Sequence, residues 1–308
     1  MISEIRTVTL HVSRMDESLS FYTAFTGWHL RHRYRMGGEL LKKHWGLPDE
    51  REIEVALLCN EHNPMAGQLR LIRCAGVEPR PMRDHQRPWD VGLFGVNFMV
   101  ADIHARLDEL KRRGARLPSD GPVSYTAGDR LVKEAMVRGP DEEAIMLIEV
   151  NPPRPELTPP GEAYSEVVTC PQVVHDVDRA VAFYRDALGL SVWLRTELCM
   201  PALDALIGLP PGTRLGLVLL TSGESVTGKV ELLHYPELDS RPSGGLPRTG
   251  YCMLSFTADD LDHLAHRLAG EGVQIVAAPE VVDFGPEGSF TAMSVRSPDG
   301  LLHEFIQR

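Results

Sequence analysis

Histidines and neighbouring polar residues are the first candidates for chemistry, because imidazole moves protons and binds metals near neutral pH. Thr7, Thr9 and His11 occupy alternate positions of an apolar N-terminal stretch, so on a β-strand their side chains point to one side. His303 directly precedes Glu304, and the same alternation sends these two side chains to opposite faces. His11 is therefore a candidate for proton transfer inside a sheet, whereas His303 and Glu304 cannot bind one metal together.

The cysteines give no sign of a metal or disulfide framework. They are odd in number and scattered, and none forms a CxxC pair: Cys59, Cys74, Cys170, Cys199 and Cys252. Buried free thiols in a reducing compartment are the expected state. We therefore expect a cytoplasmic protein.

Composition restricts the partners. The 308 residues suffice for two ordinary domains, and the net charge of −11 argues against nucleic acid or an anionic membrane surface. No apolar stretch approaches the roughly 18 residues of a membrane span, and the N-terminus lacks the pattern of a signal peptide. The expected partner is a small molecule, and a homodimer is left open.

A proline-rich segment divides the chain near its midpoint. Residues 151–161 read NPPRPELTPPG, which predicts a semi-rigid linker at 151–163 between domains at 1–150 and 164–308. The Phe-Tyr pair ending at Tyr22 recurs at Tyr184, an offset of 162, and Asp102 recurs as Asp260, an offset of 158. Two landmarks at nearly one offset indicate a duplication.

Each half of the sequence contains two copies of one shorter unit. An apolar strand, an Asp at a helix N-cap, a helical stripe and a stopping glycine occur around Asp176 and again around Asp260. Short strand-like stretches follow each helix, which gives four βαβββ modules at about 4–75, 91–150, 164–236 and 250–308. The predicted fold class is α+β, with modules paired into two cup-shaped barrels, either within each half or across the halves.

One stretch carries a family resemblance. Residues 174–190 read VHDVDRAVAFYRDALGL, and the turn SPDG at 297–300 is followed by Glu304 on an apolar strand. This pattern resembles the vicinal oxygen chelate superfamily, which includes glyoxalase I, extradiol dioxygenases and bleomycin-resistance proteins. The resemblance implies the four-module fold, but this scaffold hosts unrelated chemistries.

Metal-using members place ligands on the first and last strands of each module. By this resemblance the first-strand positions are Thr7, Gly95, Thr169 and Met253, and the last-strand positions are Arg70, Met146, Glu231 and Glu304. No first-strand position carries His or Gln, and the N-terminal half has no carboxylate at a last-strand position. Because a divalent transition metal takes three or four N, O or S ligands, we expect no cofactor. A metal held by Glu231 and Glu304 alone is the weaker alternative.

The candidate site follows from these positions. Glu231 and Glu304 are expected to face each other across a C-terminal cup as a general acid–base pair. His11 is a separate catalytic candidate, expected to move a proton in an N-terminal cup. Further side chains are predicted to bind substrate: Thr169, Met253, Tyr235, Thr7, Arg70 and Asn97. Of these, Arg70 and Asn97 are expected beside His11 in an N-terminal cup.

The leading functional hypothesis is metal-independent proton transfer on a small apolar, aromatic or carbonyl-bearing molecule, as in a lyase or isomerase. A non-catalytic protein that sequesters a ligand, as in the bleomycin-resistance branch, is the alternative. Catalysis predicts product formation, whereas sequestration predicts affinity alone.

Overall fold

The computed structural model describes residues 1–83, 87–119, 121–127, 129–153, 156 and 163–307. Most of the predicted linker at 151–163 lies outside the described residues. No helix within the described ranges combines the length and apolar character that a membrane span requires.

The chain contains four modules with the predicted βαβββ plan, two of them extended by a short helix. The first comprises β1 (Thr7–His11), α1 (Met15–Thr26), β2 (His29–Met36), α2 (Glu39–Trp45), β3 (Ile53–Cys59) and β4 (Gln68–Cys74). The second comprises β5 (Gly92–Leu93), β6 (Gly95–Val100), α3 (Ile103–Arg112), β7 (Val123–Ala127), β8 (Arg130–Arg138) and β9 (Ala144–Asn151). The third comprises β10 (Tyr164–Val173), α4 (Val177–Ala182) with a π-helical continuation (Phe183–Ala187), β11 (Ser191–Leu198), α5 (Pro201–Ile207), β12 (Leu215–Thr221) and β13 (Lys229–His234). The fourth comprises β14 (Gly250–Thr257), α6 (Leu261–Gly270), β15 (Gln274–Asp283), a 3-10 turn (Gly285–Glu287), β16 (Ser289–Arg296) and β17 (Leu302–Gln307).

The helices begin where local chemistry predicts. The carboxylates of Asp102, Asp176 and Asp260 each accept a hydrogen bond from a backbone N–H three residues ahead, at the starts of α3, α4 and α6. An N-cap of this kind stabilises a helix by about 1 kcal/mol. The recurring Asp is therefore an element boundary, as the sequence indicates.

The modules pair across the two halves of the chain. The eight-stranded sheet has the order β15-β16-β17-β14-β1-β4-β3-β2 and joins the fourth module to the first. The nine-stranded sheet has the order β11-β12-β13-β10-β6-β9-β8-β7, with β5 beside β10, and joins the third module to the second. Each sheet curls into a half-barrel whose inner face we call cup 1 in the eight-stranded sheet and cup 2 in the nine-stranded sheet. Neither half of the chain forms a cup by itself, so the expected N-terminal and C-terminal cups are replaced by two mixed ones.

A closed ring of four backbone hydrogen bonds joins the sheets. Ile5 N donates to Gly228 O (2.8 Å), Gly228 N to Val167 O (3.3 Å), Val167 N to Gly67 O (3.2 Å) and Gly67 N to Ile5 O (3.0 Å). Both glycines have left-handed φ, +59° and +62°, and an added Cβ would lie 2.8–2.9 Å from a carbonyl oxygen of the ring. Only glycine fits at these two positions without strain. Because one glycine lies in the first module and the other in the third, the duplication includes the hydrogen bonds that connect the two sheets.

Apolar packing divides into an outer and two inner regions. The outer core lies between the helices and the outer strand faces and includes Val8, Phe98, Tyr184 and Phe256. Separate apolar clusters fill the inner faces of cup 1 and cup 2. A polar side chain on an inner face is therefore surrounded by hydrocarbon.

Candidate functional site

Cup 2 contains an open cavity of about 70 Å³. Its wall is mainly apolar and includes Phe94, Met146, Leu203, Ile207, Leu215 and Leu233. Asn97, Tyr125, Glu134 and Glu231 contribute the polar groups. The short helix α5 supplies Leu203 and Ile207, so the insertion in the third module forms part of the cavity wall.

Glu231 lies on β13 at the base of this cavity and is half-buried. The Thr169 hydroxyl donates to its Oε2 at 2.6 Å, and the Asn97 amide donates to the same oxygen at 2.9 Å. The Asn97 amide also donates to the Thr169 hydroxyl oxygen at 2.7 Å. Burial raises the pKa of Glu231 to about 7 against the opposing effect of these hydrogen bonds.

Glu134 is the second carboxylate of the cavity and was not predicted. It lies on β8, where the Tyr125 hydroxyl of the neighbouring β7 donates to its Oε2 at 3.0 Å. Burial, followed by the negative charge of Glu231, raises the pKa of Glu134 to about 7. The resemblance assigns ligands only to first and last strands and so passes over β8. The sequence does contain a sign of Glu134. Val132, Glu134 and Met136 alternate along β8 and so share one face of the strand, which places a carboxylate between two apolar side chains.

The two glutamates form one titrating pair with unequal members. Glu231 accepts from both Thr169 and Asn97, which stabilise its charged form, whereas Tyr125 is the one such donor to Glu134 among the described residues. Proximity makes the second ionisation harder than the first, so the pair holds one proton near neutral pH. The hydrogen bonds from Thr169 and Asn97 favour the ionised form at Glu231 over the ionised form at Glu134.

Cup 1 uses its carboxylate differently. Glu304 Oε2 accepts from Arg70 at 2.9 Å and from the Ser255 hydroxyl at 2.8 Å, and Oε1 accepts from the Trp45 indole at 2.9 Å. Glu304 is 1% exposed and Arg70 is 0% exposed. Burial alone would raise the pKa of Glu304, but Arg70 and the hydrogen bonds outweigh it and hold the pKa below its usual range. Glu304 thus forms a buried salt bridge with Arg70, which favours its ionised form.

Aromatic side chains cover the salt bridge of cup 1. The guanidinium of Arg70 lies 5.4 Å from the centre of the Trp45 ring and 5.8 Å from that of Phe284. Tyr34 donates to Glu287 at 2.7 Å, which fixes the 3-10 turn after β15 against β2. The carboxylate of Glu304 therefore has its charge balanced within cup 1, whereas Nε and Nη2 of Arg70 have no hydrogen-bond partner among the described residues.

Two expectations about the candidate site are wrong. Glu231 and Glu304 do not face each other, because they lie in different sheets. Asn97 does not share a cup with His11 and Arg70, since β6 belongs to the nine-stranded sheet and β1 and β4 to the other. Both errors have one cause, the pairing of modules across the halves.

His11 is held by the backbone rather than by a polar site. Its Nδ1 donates to Arg248 O at 2.9 Å, and its Nε2 accepts from Cys74 N at 3.0 Å. Burial lowers the pKa of His11, which keeps the imidazole neutral in this tautomer. His11 therefore bridges strands at the end of cup 1 and has no ring nitrogen left for a substrate.

The other predicted substrate-binding residues divide between the cups. In cup 1, Thr7 donates to Gln68 at 2.8 Å and Met253 is buried in the apolar cluster. In cup 2, Thr169 supports Glu231, while Tyr235 is buried in the apolar cluster with its hydroxyl oxygen lacking a hydrogen-bond partner among the described residues. The structure thus brings together Asn97, Thr169 and Glu231 from the predicted set.

The donors of cup 2 do not fit a transition-metal site. Within the described part of the chain, no group of three or more His, Cys, Asp and Glu side chains is placed to hold a metal ion. The cavity offers two carboxylates, the Asn97 amide, the hydroxyls of Tyr125 and Thr169 and the thioether of Met146, and its described lining includes neither imidazole nor thiolate. Transition metals in proteins are bound largely through those two groups. The donor set therefore favours chemistry carried by the carboxylates themselves.

Comparison with known proteins gives the same fold. The sequence matches the family model of the Glyoxalase/Bleomycin resistance protein/Dioxygenase superfamily at residues 4–147 and 166–305. Glyoxalase I from Zea mays has a TM-score of 0.67 at 15% identity, covering 99% of this chain and 92% of that one. A putative dioxygenase from Bacillus subtilis subsp. subtilis str. 168 has a TM-score of 0.66 at 14% identity, covering 99% and 85%. No curated protein matches the sequence.

Proposed function

The chain belongs to the Glyoxalase/Bleomycin resistance protein/Dioxygenase superfamily, and we propose that it is an enzyme that transfers a proton on a small apolar substrate in cup 2. The proposed reaction is of the lyase or isomerase type and uses carboxylates in place of a metal. The substrate is an aromatic or carbonyl-bearing molecule that fits the apolar wall.

The observation that carries this proposal is the pair formed by Glu134 and Glu231 in one apolar cavity. Ionised Glu231 can remove a proton from a carbon next to a carbonyl group, and protonated Glu134 can donate a hydrogen bond or a proton to the carbonyl oxygen. General acid–base catalysis is most effective when the pKa of the catalytic group lies near the working pH. Burial brings both glutamates to that range.

The wall of the cavity supports the same chemistry. Apolar side chains such as Leu203 and Leu233 exclude water, and low polarity strengthens the interaction of a carboxylate with a developing charge. Thr169 and Asn97 hold one oxygen of Glu231, so the reactive carboxylate is oriented before substrate binds.

Proton exchange tests the proposal whatever the final product is. Aryl ketones and aldehydes with an exchangeable α-proton are incubated with the protein in D₂O, and loss of the α-proton signal is followed by NMR. Wild-type protein should accelerate exchange for at least one compound, and Glu231→Gln and Glu134→Gln should each reduce that rate at least about 100-fold. The matched control is Glu237→Gln, which changes an exposed glutamate. This variant should catalyse exchange at the wild-type rate.

Two outcomes would count against the proposal. Equal exchange in wild-type protein and both cup 2 variants would remove the glutamates from the mechanism. Tight binding with no exchange of any compound would instead identify cup 2 as a ligand-sequestering cavity.

A further inference from the structure

The polar groups of cup 2 have an excess of hydrogen-bond acceptors. Glu134 and Glu231 contribute two carboxylates, and the buried Oδ1 of Asn97 has no hydrogen-bond partner among the described residues. No Lys, Arg or His occurs among the described residues that line the cavity. A buried amide oxygen without a donor is costly, and so is a buried carboxylate charge without a cation, so this site is incomplete by itself.

Nearby cations do not correct this excess. Arg83 stacks on Phe94 at 5.5 Å, but its guanidinium donates to the backbone carbonyls of Arg87, Gly92 and Leu93. Within the described part of the chain, the two glutamates accept hydrogen bonds from neutral groups: Tyr125 for Glu134, and Thr169 and Asn97 for Glu231. The negative charge of the pair is therefore left for a ligand to balance.

Cup 1 shows how the same scaffold completes such a site. Its two last-strand positions carry Arg70 and Glu304, and the guanidinium lies between the carboxylate and two aromatic rings. The corresponding positions of cup 2 carry Met146 and Glu231. Cup 2 thus keeps a carboxylate but has a thioether where cup 1 has its cation.

We propose that cup 2 binds an apolar substrate that carries a positive charge, a protonated amine or amidine, which takes the place that Arg70 holds in cup 1. This inference rests on the proposed function, since it names the class of substrate on which the glutamate pair acts. The cation lies against Glu231 and Glu134, and its apolar body packs on the cavity wall. Phe94 and Tyr125 supply aromatic rings, which attract cations.

The charge of the pair also predicts a link between binding and pH. A cation next to the pair favours ionisation of Glu231 while Glu134 keeps its proton, so binding releases a proton where Glu231 is still partly protonated. With carboxyl pKa values of about 7, the affinity for a cation should rise about tenfold between pH 6 and pH 8. A neutral ligand of the same shape should lack this dependence.

Three matched probes test the inference: benzylamine, benzyl alcohol and benzoate, titrated calorimetrically at pH 6 and pH 8 in the presence of a chelator. Benzylamine should bind at least about tenfold more tightly than benzyl alcohol at pH 8, and benzoate should bind most weakly. The measured heat should differ between buffers of different ionisation enthalpy at pH 6, which reports proton release. Glu231→Gln and Glu134→Gln should each remove most of the preference for the amine. Glu52 is exposed and directly precedes β3 of the other sheet, so Glu52→Gln should retain the preference.

The inference is overturned if benzyl alcohol or benzoate binds as tightly as benzylamine at pH 8, or if none of the three binds at millimolar concentration. It is also overturned if both cup 2 variants keep the wild-type preference. Proton exchange on neutral carbonyl compounds is a separate measurement that tests the proposed function alone. Exchange that depends on the glutamates, without preference for the amine, would therefore leave the proposed function standing and remove only the cationic substrate.

Discussion

Replacing Glu134 by Gln should make the protein more stable at pH 8 while it abolishes activity. Burial and the charge of Glu231 raise the pKa of Glu134 from 4.5 to about 7. Between these two values the folded state binds more protons than the unfolded state, so stability falls as pH rises through this window. Above pH 7 the full cost of the buried charge is present, and Gln removes it while still accepting from Tyr125.

The size of the effect follows from the shift in pKa. At about 1.36 kcal/mol per pH unit, a rise from 4.5 to about 7 corresponds to at most about 3.4 kcal/mol. Glu134 is half-buried and keeps some contact with solvent, which reduces the expected gain to about 1–3 kcal/mol. In thermal unfolding this corresponds to a rise in Tm of about 2–6 °C for a chain of this size.

Urea unfolding at pH 4.5 and pH 8 measures the effect directly. The Glu134→Gln variant should have a higher midpoint than wild type at pH 8 and nearly the same midpoint at pH 4.5, with an unchanged slope. Glu237→Gln should match wild type at both pH values, because its carboxylate is exposed. Equal or lower stability of Glu134→Gln at pH 8 would refute the claim that the folded protein holds this carboxylate at an energetic cost.

Three further predictions follow from the same contacts. Glu304→Gln should lower the free energy of unfolding by about 3–5 kcal/mol at neutral pH, because it leaves Arg70 as an uncompensated buried charge; an increase in stability in urea unfolding would contradict this. The pH–rate profile of proton exchange should be bell-shaped and centred near pH 7, since it needs ionised Glu231 and protonated Glu134; a flat profile from pH 5 to 9 would exclude this division of roles. Gly67→Ala should destabilise the protein by at least about 1–2 kcal/mol in chemical unfolding, because the added Cβ meets a carbonyl oxygen at a left-handed φ; a wild-type midpoint would show that the ring between the sheets is adaptable.

Local features of the fold were readable from the sequence, and long-range pairing was not. Asp176 and Asp260 marked helix starts because an N-cap depends on residues three positions away. Strand β1 pairs with β14, which lies some 240 residues later in the chain. The residues around Thr7 do not indicate that Thr7 pairs with Ser255. Four similar modules can pair within or across the halves with equal local propensity, so only the packed structure decides.

Strand alternation was enough to predict which side chains of the candidate site point into a cup. The resemblance placed Glu231 and Thr169 on inward positions, and the structure puts them 2.6 Å apart. The role of Glu304 depended on what faces it, and Arg70 comes from the other half of the chain. Glu134 required the alternation of β8 to be considered apart from the positions that relatives use for metal.

The central claim is that cup 2 holds a carboxylate pair that titrates near neutral pH, whereas the carboxylate of cup 1 is held in a buried salt bridge. Carbon-13 NMR of protein labelled at the glutamate carboxyl carbon, titrated from pH 4 to pH 9, tests this claim most directly. We predict a carboxyl signal that titrates near pH 7 and is lost or shifted in both Glu134→Gln and Glu231→Gln, while the Glu304 signal does not titrate in that range. A spectrum in which the Glu134 and Glu231 signals both titrate between pH 4 and pH 5 would contradict the account.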